Sequence, residues 1–487
     1  MKALSIKEVL NAVGGTLLAG TTKGEITSVS TNSKEIKEGA LFVPIIGERV
    51  DAHRFIKGAF ELGAKATVTS RPLEEIEVVE GKTYILVEDT LKAMQDLATY
   101  YRSKFTIPVI GVTGSVGKTT TKEMIAAALE TKYRVLKTAG NMNSQVGLPL
   151  TLFNIEESHE VAVIEMGMSI EHEMENLVAI AKPTISVMTN IGVSHIGQLG
   201  SKENIRREKC NIINAYADYK KGSLYVNGND VLLHEVIEFK KNEKEIDLRE
   251  ETKEALAYTK IYSFGMKEDA DFAASNITYQ GTHTTFLYTS KKDGNNLSEE
   301  ITLSVLGEHN VMNACVALGV AAELGIDVKV AKEGLFKYQP IAMRGQMEDI
   351  NGVTVIDDSY NSSPDSMKSG LSMLLAMENT RVFAVFADVL ELGEKSRELH
   401  YQVGEYIAGL AKEGKRIDGL ITIGEEAKAI SDAVLDNKLD MIVKHCDNNE
   451  SATCYIKSIM QKGDAFLIKG SRGMHTDEIV TDLKKEA

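Results

Sequence analysis

The chain has 487 residues, 43% hydrophobic and 26% charged, a length and composition expected of about three globular domains that exclude collagen-like, disordered and membrane-spanning classes. Its 55 basic and 70 acidic residues leave a net charge of −15, so nucleic acid, which is bound through Lys and Arg contacts to phosphate, is not an expected partner. No apolar run approaches the roughly 20 residues of a bilayer span. The opening MKALSIKEVLNAVGG is broken by Lys7 and Glu8, so no integral membrane contact or signal peptide is expected and the cytoplasm is the expected compartment. Cys210, Cys315, Cys446 and Cys454 form no C-x-x-C pair and read as reduced thiols.

In chain order, GALFVPIIG (39–47) reads as a buried strand and HRFIKGAFELGA (53–64) as an amphipathic helix, with ATVTS and TYILVED as further strands. Residues 90–105 have the helical spacing Leu91, Met94, Leu97, Tyr101, with Thr90 as the expected N-cap. Pro108 ends that pattern, which sets a first domain at 1–106. The second, 107–340, opens strand–Gly loop–helix and continues through VAVIEMG (161–167) and TISVMTNIG (184–192), an alternation that predicts a mostly parallel sheet faced by helices. Residues 234–256, rich in Glu and Lys, read as a solvated helix, and 270–305 alternate like antiparallel strands around a KKDGNN turn. In the third domain, 341–487, the strands VTVIDD, RVFAVFAD, GLITIG, MIVKHC and AFLIKGS carry helical segments in four of the gaps, a Rossmann-like α/β pattern.

The segment IPVIGVTGSVGKTTTKEMIAAAL (107–129) reads as a phosphate loop of the G-x-x-x-x-G-K-T kind between Gly111 and Thr119, with a strand before it and a helix after it. Glycines let backbone N–H groups close on phosphate oxygens, and the helix N-terminus adds positive potential. Lys118 is expected to reach the β- and γ-phosphates, and the Thr119 hydroxyl to sit on Mg²⁺. Taken alone, the loop leaves kinase, switch, motor and ligase open. Glu165 ends a strand, where a carboxylate can hold magnesium, although strand-end glutamates are more often solvent-facing. By themselves His195 reads as a surface histidine and Lys209, on SKENIRREKCNII, as a solvated lysine.

Together, T-G-S-V-G-K-T-T-T (113–121), E-M-G-M (165–168), T-N-I-G-V-S-H (189–195), Lys209 and G-E-H-N-V-M-N-A (307–314) resemble the Mur ligase family of peptidoglycan precursor synthesis. D-D-S-Y-N-S-S-P-D-S-M (357–367), L-E-L-G (390–393) with His400, and K-G-S-R-G-M (469–474) are similar to those members that add D-alanyl-D-alanine to UDP-N-acetylmuramoyl-tripeptide. G-A-L-F-V-P-I-I-G-E-R-V-D-A-H (39–53) resembles the family's uridine-nucleotide domain.

The resemblance implies an α/β fold of three domains: a mixed N-terminal domain for the UDP substrate, a central ATP-binding domain, and a C-terminal Rossmann-like domain that closes on ATP and takes the dipeptide. It implies ATP, two Mg²⁺ ions and a carbamylated Lys209 as cofactors, and a monomer. ATP would contact Gly114, Ser115, Val116, Gly117, Lys118, Thr119, Thr120, Asn310, Asn313, Arg344 and Asp358. Thr119, Glu165, His195 and the Lys209 carbamate would hold metal, and Lys118, His195, Lys209 and Arg344 would be catalytic. Ser33, Gly47, Arg49, Asn141 and Asn143 fall on the UDP-tripeptide side, and Tyr360 and Asn361 on the dipeptide side. His309 belongs to the adenine-side motif, with a packed helix-start histidine as the alternative. The chain departs from the family pattern at Thr31-Asn32-Ser33-Lys34, Ala52, Ser144 and Ala387-Asp388-Val389, none of them in the ATP core. A sister ligase adding another amino acid, and an NTPase switch that makes no bond, remain the alternatives.

Overall fold

Short apolar runs alternating with amphipathic helices build three α/β units in the computed structural model, which describes residues 1–242, 244–291, 296–377 and 381–485. In the first unit the strands Thr16–Ala19, Thr83–Leu86, Ala66–Thr69, Ala40–Phe42 and Ser28–Ser30 lie side by side in that order, all parallel except the first pair. The strand expected over 39–47 shrinks to Ala40–Phe42. Pro44 has no N–H to extend the ladder, and Ile46 turns outward, 54% exposed. The helix expected over 53–64 is a 3₁₀ turn, Ala52–Phe55, running into Ile56–Glu61, and the left-handed Gly63 (φ 111°) follows it.

The helix Thr90–Ser103 is capped by Asp89 rather than Thr90: the Asp89 carboxylate accepts from the N–H groups of Leu91 and Lys92. Thr90 is inside the helix, and its hydroxyl donates to the Pro44 carbonyl at 2.5 Å. At the other end the buried Arg102 guanidinium donates to the carbonyls of Ala181, Phe105 and Ile107. Those bonds satisfy a cation that burial would otherwise penalise, and they fasten the helix to the central unit.

The central unit is a nine-stranded sheet ordered Leu297–Leu303, His283–Ser290, Phe272–Gln280, Thr259–Gly265, Gly222–Asn227, Ile185–Met188, Val109–Thr113, Val161–Glu165, Val135–Lys137. The first three strands pair antiparallel and the rest parallel. The strands 109–113, 161–165 and 185–188 are buried throughout, which is why they read as continuous apolar runs instead of alternating ones. The antiparallel segment expected over 270–305 is present, while residues 292–295 of its turn lie outside the described residues. The single solvated helix expected over 234–256 is two helices, Val231–Asn242 and Glu250–Ala257, with residue 243 outside the described set. Leu248, buried between them, pulls the chain inward, and each helix buries an apolar face (Leu233, Val236, Ile237; Ala255, Leu256).

From Val109–Thr113 the chain runs out to one side through 135–137 and 161–165, then returns to the other side at 185–188. That reversal opens a crevice at the carboxyl ends of these strands, where open α/β sheets bind ligands.

The third unit orders its strands Gln346–Ile350, Val353–Asp357, Asp464–Lys469, Arg381–Ala387, Gly419–Ile423, Ile442–Cys446, antiparallel only at the first pair. Helices Pro364–Leu375, Ser396–Lys412, Lys428–Asp436 and Asn449–Ile459 fill the four expected gaps. The edge strand Gln346–Ile350 carries the polar, half-exposed sequence QMED, which gives no apolar period to read. Cys210, Cys315 and Cys446 are buried free thiols and Cys454 an exposed one. Among the described residues no helix is long and apolar enough to cross a membrane.

Candidate functional site

The crevice of the central sheet holds the Gly-rich loop. Five residues separate Gly111 from Gly117, one more than the expected G-x-x-x-x-G-K-T spacing, and Gly111 lies inside the strand. The turn is made by Gly114 (φ 146°) and Gly117 (φ 83°), the latter opening the helix Lys118–Leu129. A Cβ on Gly114 would sit 1.9 Å from Thr189 Oγ1, so only glycine lets the loop lie this close to segment 189–194. The two are laced together: Ser115 N–H to Asn190 O (3.0 Å), Val116 N–H to Asn190 Oδ1 (2.9 Å), and Gly192 N–H to Ser115 Oγ (2.8 Å).

Two lysines converge beneath the loop. Lys118 Nζ donates to the carbonyls of Gly114 (2.9 Å) and Ser115 (3.3 Å), and Lys209 Nζ donates to the same Gly114 oxygen (3.1 Å). Lys209 sits on the helix Lys202–Cys210 and is 1% exposed, not the solvated lysine its charged sequence suggests. Burial, then the neighbouring Lys118, holds its pKa well below the usual lysine value, against Glu208. Burial and Arg344 lower Lys118 as well, with Glu165 opposing.

Glu165, at the end of Val161–Glu165, is buried. One carboxylate oxygen accepts from Asn143 Nδ2 at 2.7 Å, and the other has no partner. Asn143, expected on the substrate side, therefore orients this carboxylate. His195 has a left-handed backbone (φ 63°) ahead of the turn Ile196–Leu199, with Nδ1 3.1 Å from Glu391 Oε2 of the third unit. The helix Glu308–Glu323 brings Asn310 and Asn313 alongside. Asn313 Oδ1 accepts from Thr121 Oγ1 (2.9 Å) while its buried Nδ2 has no partner. Burial pushes His309 down to about 4, and its Nδ1 is also unpartnered.

The third unit faces this group. The Arg344 guanidinium stacks 3.9 Å from the Tyr360 ring centroid, and Asp358 accepts from Lys469 Nζ at 2.6 Å. Lys469 also donates to the Asn361 carbonyl (3.0 Å), and Asp365 Oδ2 accepts the Val193 N–H of the central unit at 2.9 Å.

A cavity of about 360 Å³ lies between the two units. Ser115, Val116, Gly117, Lys118, Thr119, Thr120, Asn141, Asn143, Glu165, His195 and Asn310 line it from one side, and Arg344, Asp358, Tyr360 and Asn361 from the other. Gly114, Lys209 and Asn313 stand behind its wall, joined to it through the hydrogen bonds above. Ser33 and Gly47 belong to no part of it. Arg49 lines a separate hollow of the first unit with Asp51, His53, Arg54, Lys57 and Arg71. There the buried His53 holds Asp51 (Nδ1 to Oδ1, 2.6 Å), an arrangement that Ala52 leaves intact.

Sequence reasoning gave no individual role to Lys469, Asp365 or Glu391. Lys469 was findable, since it ends the strand Asp464–Lys469 as Glu165 ends its own. Asp365 and Glu391 fall in the motifs 357–367 and 390–393, but nothing local to those motifs shows that they act across units. Among the described residues no three His, Cys, Asp or Glu side chains gather into a metal cage. Magnesium needs none: it takes one or two protein ligands plus phosphate oxygens and water, and the buried, unpartnered Glu165 oxygen with Thr119 and His195 on the same cavity fits that demand.

Residues 25–102 match the model of the Mur ligase family, catalytic domain; 112–321 the Mur ligase middle domain; and 343–472 the Mur ligase, glutamate ligase domain. UDP-N-acetylmuramoyl-tripeptide–D-alanyl-D-alanine ligase of Bacillus subtilis (strain 168) is 35% identical over 98% of this chain and 98% of its own. A crystal structure of MurF from Acinetobacter baumannii matches with a TM-score of 0.85 at 27% identity, covering 100% of this chain and 99% of that one. MurF ligase from Thermotoga maritima in complex with ADP matches at 0.78 and 28%, covering 94% and 98%.

Proposed function

The chain belongs to the Mur ligase family, and from that premise we propose that it joins D-alanyl-D-alanine to UDP-N-acetylmuramoyl-tripeptide with conversion of ATP to ADP and phosphate, a step of peptidoglycan precursor synthesis. The observation that carries this reading is the shared cavity, in which the phosphate loop of one unit faces Arg344, Asp358 and Lys469 of another. A nucleotide switch has use for the first set alone.

The tripeptide carboxylate is a poor acyl donor because its leaving group would be oxide. Transfer of the γ-phosphoryl group makes an acyl phosphate; the dipeptide amine adds to its carbonyl carbon, and the tetrahedral intermediate expels phosphate to leave the amide. The first step brings two anions together, so the chain must supply local positive charge despite its net −15. Loop N–H groups and Lys118 are suited to the β- and γ-phosphates, Arg344 to the transferring group from the opposite wall, and Asn310 and Asn313 to the nucleotide side. Asn141 and Asn143 on the tripeptide side, and Tyr360 and Asn361 on the dipeptide side, complete the reading. Thr119, Glu165 and His195 would hold magnesium, which when bound neutralises phosphate charge. Lys209 is read as carbamylated: burial keeps amine available for CO₂, and the adduct turns a metal-repelling ammonium into a carboxylate. The catalytic roles of Lys118, His195, Lys209 and Arg344, the unit boundaries near 107 and 341, a cytoplasmic location and a monomeric enzyme belong to the same proposal; the last is supported by a cavity built from one chain.

The test supplies ATP, D-alanyl-D-alanine and UDP-N-acetylmuramoyl-tripeptides ending in diaminopimelate or lysine, then weighs the product. One tripeptide should gain the dipeptide less water, with one ADP per bond made. ADP release indifferent to dipeptide would favour the switch reading.

A further inference from the structure

A metal-ligating histidine is normally held by a hydrogen bond from its other ring nitrogen to a carboxylate or carbonyl. Nδ1 of His195 is buried and has no aligned hydrogen-bond partner, but such a group, Glu391 Oε2, lies 3.1 Å from it, within ion-pair reach, and comes from a different unit. Both residues have left-handed backbones, φ 63° at His195 and φ 70° at Glu391. That conformation is uncommon for a residue with a Cβ and persists where the surroundings enforce it.

The surroundings do enforce it. Val389 N–H donates to Nε2 of the buried His400 (3.0 Å), Leu390 N–H donates to Ser471 Oγ (2.9 Å), and Leu392 is buried. The strap between them is therefore pinned on both sides of Glu391. It lies against the loop that follows His195: a Cβ on Gly197 would sit 2.9 Å from the Glu391 carbonyl oxygen, and Lys395 Nζ donates to Gly200 O at 3.0 Å. The Glu391 side chain is 58% exposed, so it fills no core, and an exposed ion pair alone contributes little to stability. What the geometry provides is a carboxylate placed beside Nδ1 of one imidazole, a small ring rotation from a hydrogen bond.

We infer that Glu391 is a positioning residue for His195, reaching from the third unit to complete the magnesium site of the central unit when the two are docked. This rests on the reading of His195 as a magnesium ligand. It makes metal binding and docking one event: with the third unit away, the ring loses the carboxylate that fixes which nitrogen faces the metal.

The test is Mn²⁺ binding to the full chain with an unhydrolysable ATP analogue, followed by electron paramagnetic resonance. Glu391→Ala should weaken Mn²⁺ binding by about 10–100-fold, the usual effect of losing such a partner. Glu391→Gln, still able to accept from Nδ1–H, should recover part of the loss. Glu391→Gly suits the left-handed backbone, so a loss equal to that of Glu391→Ala assigns the effect to the side chain and not to strain. Lys395→Ala removes a neighbouring contact between the units without touching the ring and should leave Mn²⁺ binding near that of the unaltered chain. Unaltered binding in Glu391→Ala beside weakened binding in His195→Ala would overturn the positioning role alone. Equal losses in Lys395→Ala and Glu391→Ala would also overturn it, since docking in general would then explain both. Unaltered binding in His195→Ala would overturn the ligand reading and this inference with it.

Discussion

Gly192→Ala tests whether the two halves of the cavity must be in contact for ligation. A Cβ at Gly192 would lie 2.3 Å from Asp365 Oδ2 and 3.2 Å from Ser115 Cβ. The Gly192 backbone is not left-handed, so alanine adds no strain of its own and the effect is one of contact. An oxygen at 2.3 Å is about 1 Å inside ordinary contact, so Asp365 must swing away and give up the Val193 N–H it holds at 2.9 Å. A hydrogen bond to a charged group contributes about 1.5–3 kcal/mol. At about 1.4 kcal/mol per tenfold, docking should weaken by about 10–100-fold. Ser115 Cβ at 3.2 Å must give by only a few tenths of an ångström and its Oγ keeps the Gly192 N–H, so the phosphate loop is disturbed far less than Asp365. The expected result is kcat/KM for ligation down by about that factor with ATP binding unchanged, read by coupled ADP release and by nucleotide titration. Asp365→Ala removes the main clash and leaves only the tight Ser115 Cβ contact, so in the Asp365→Ala background Gly192→Ala should cost much less than it does alone, the non-additivity expected of residues in contact. Activity within twofold in Gly192→Ala, or simple additivity in the double variant, would refute the reasoning.

Lys118→Ala should lose about 10³-fold or more in ligation, because its ammonium acts on charge spread over the transferring phosphate. Thermal unfolding near that of the unaltered chain, together with that loss, is the expected pair of readings. His309 has its pKa lowered by burial to about 4 from 6.5, so the unfolded chain binds the proton more tightly. Stability should therefore fall as pH drops through 6.5 toward 4, by at most about 3 kcal/mol. His309→Gln should flatten that acid limb, and parallel urea midpoints for the two chains at pH 7.5 and 5 would contradict the assignment.

What could be read in advance was whatever depends on local pattern. The strand–loop–helix at 109–129 and the four strand–helix gaps of the third unit follow from apolar runs and helix periods, which neighbouring residues alone determine. Thr90 was misread as a cap because Asp89 and Thr90 are both capping residues, and only the backbone angles separate them. Lys209 and Glu165 show the same limit on burial: a helix reading K-E-N-I-R-R-E-K gives no sign that its last lysine is sealed beneath a loop some ninety-five positions earlier in the chain. The unread partners Asp365 and Glu391 are polar surface residues by composition, and their use depends on how two units meet.

Lys209 brings these strands of reasoning to one consequence about order. A carbamate forms by attack of a neutral amine on CO₂ with loss of one proton, so the chain must first hold the lysine unprotonated. Burial and the neighbouring Lys118 do that, and both act without nucleotide. A triphosphate bound ahead of its magnesium acts in the opposite sense, since an adjacent uncompensated anion favours ammonium. CO₂ capture is therefore favoured before ATP arrives. Enzyme stripped of CO₂ should regain ligation quickly when bicarbonate precedes ATP, and slowly when ATP is present first. Lys209→Ala should be nearly inactive in either order and partly rescued by small carboxylic acids that fill the vacated space behind the Gly114 carbonyl. Recovery that ignores the order of addition would separate Lys209 from carbamylation, and a Lys209→Ala chain ligating at the ordinary rate would remove it from the metal site altogether.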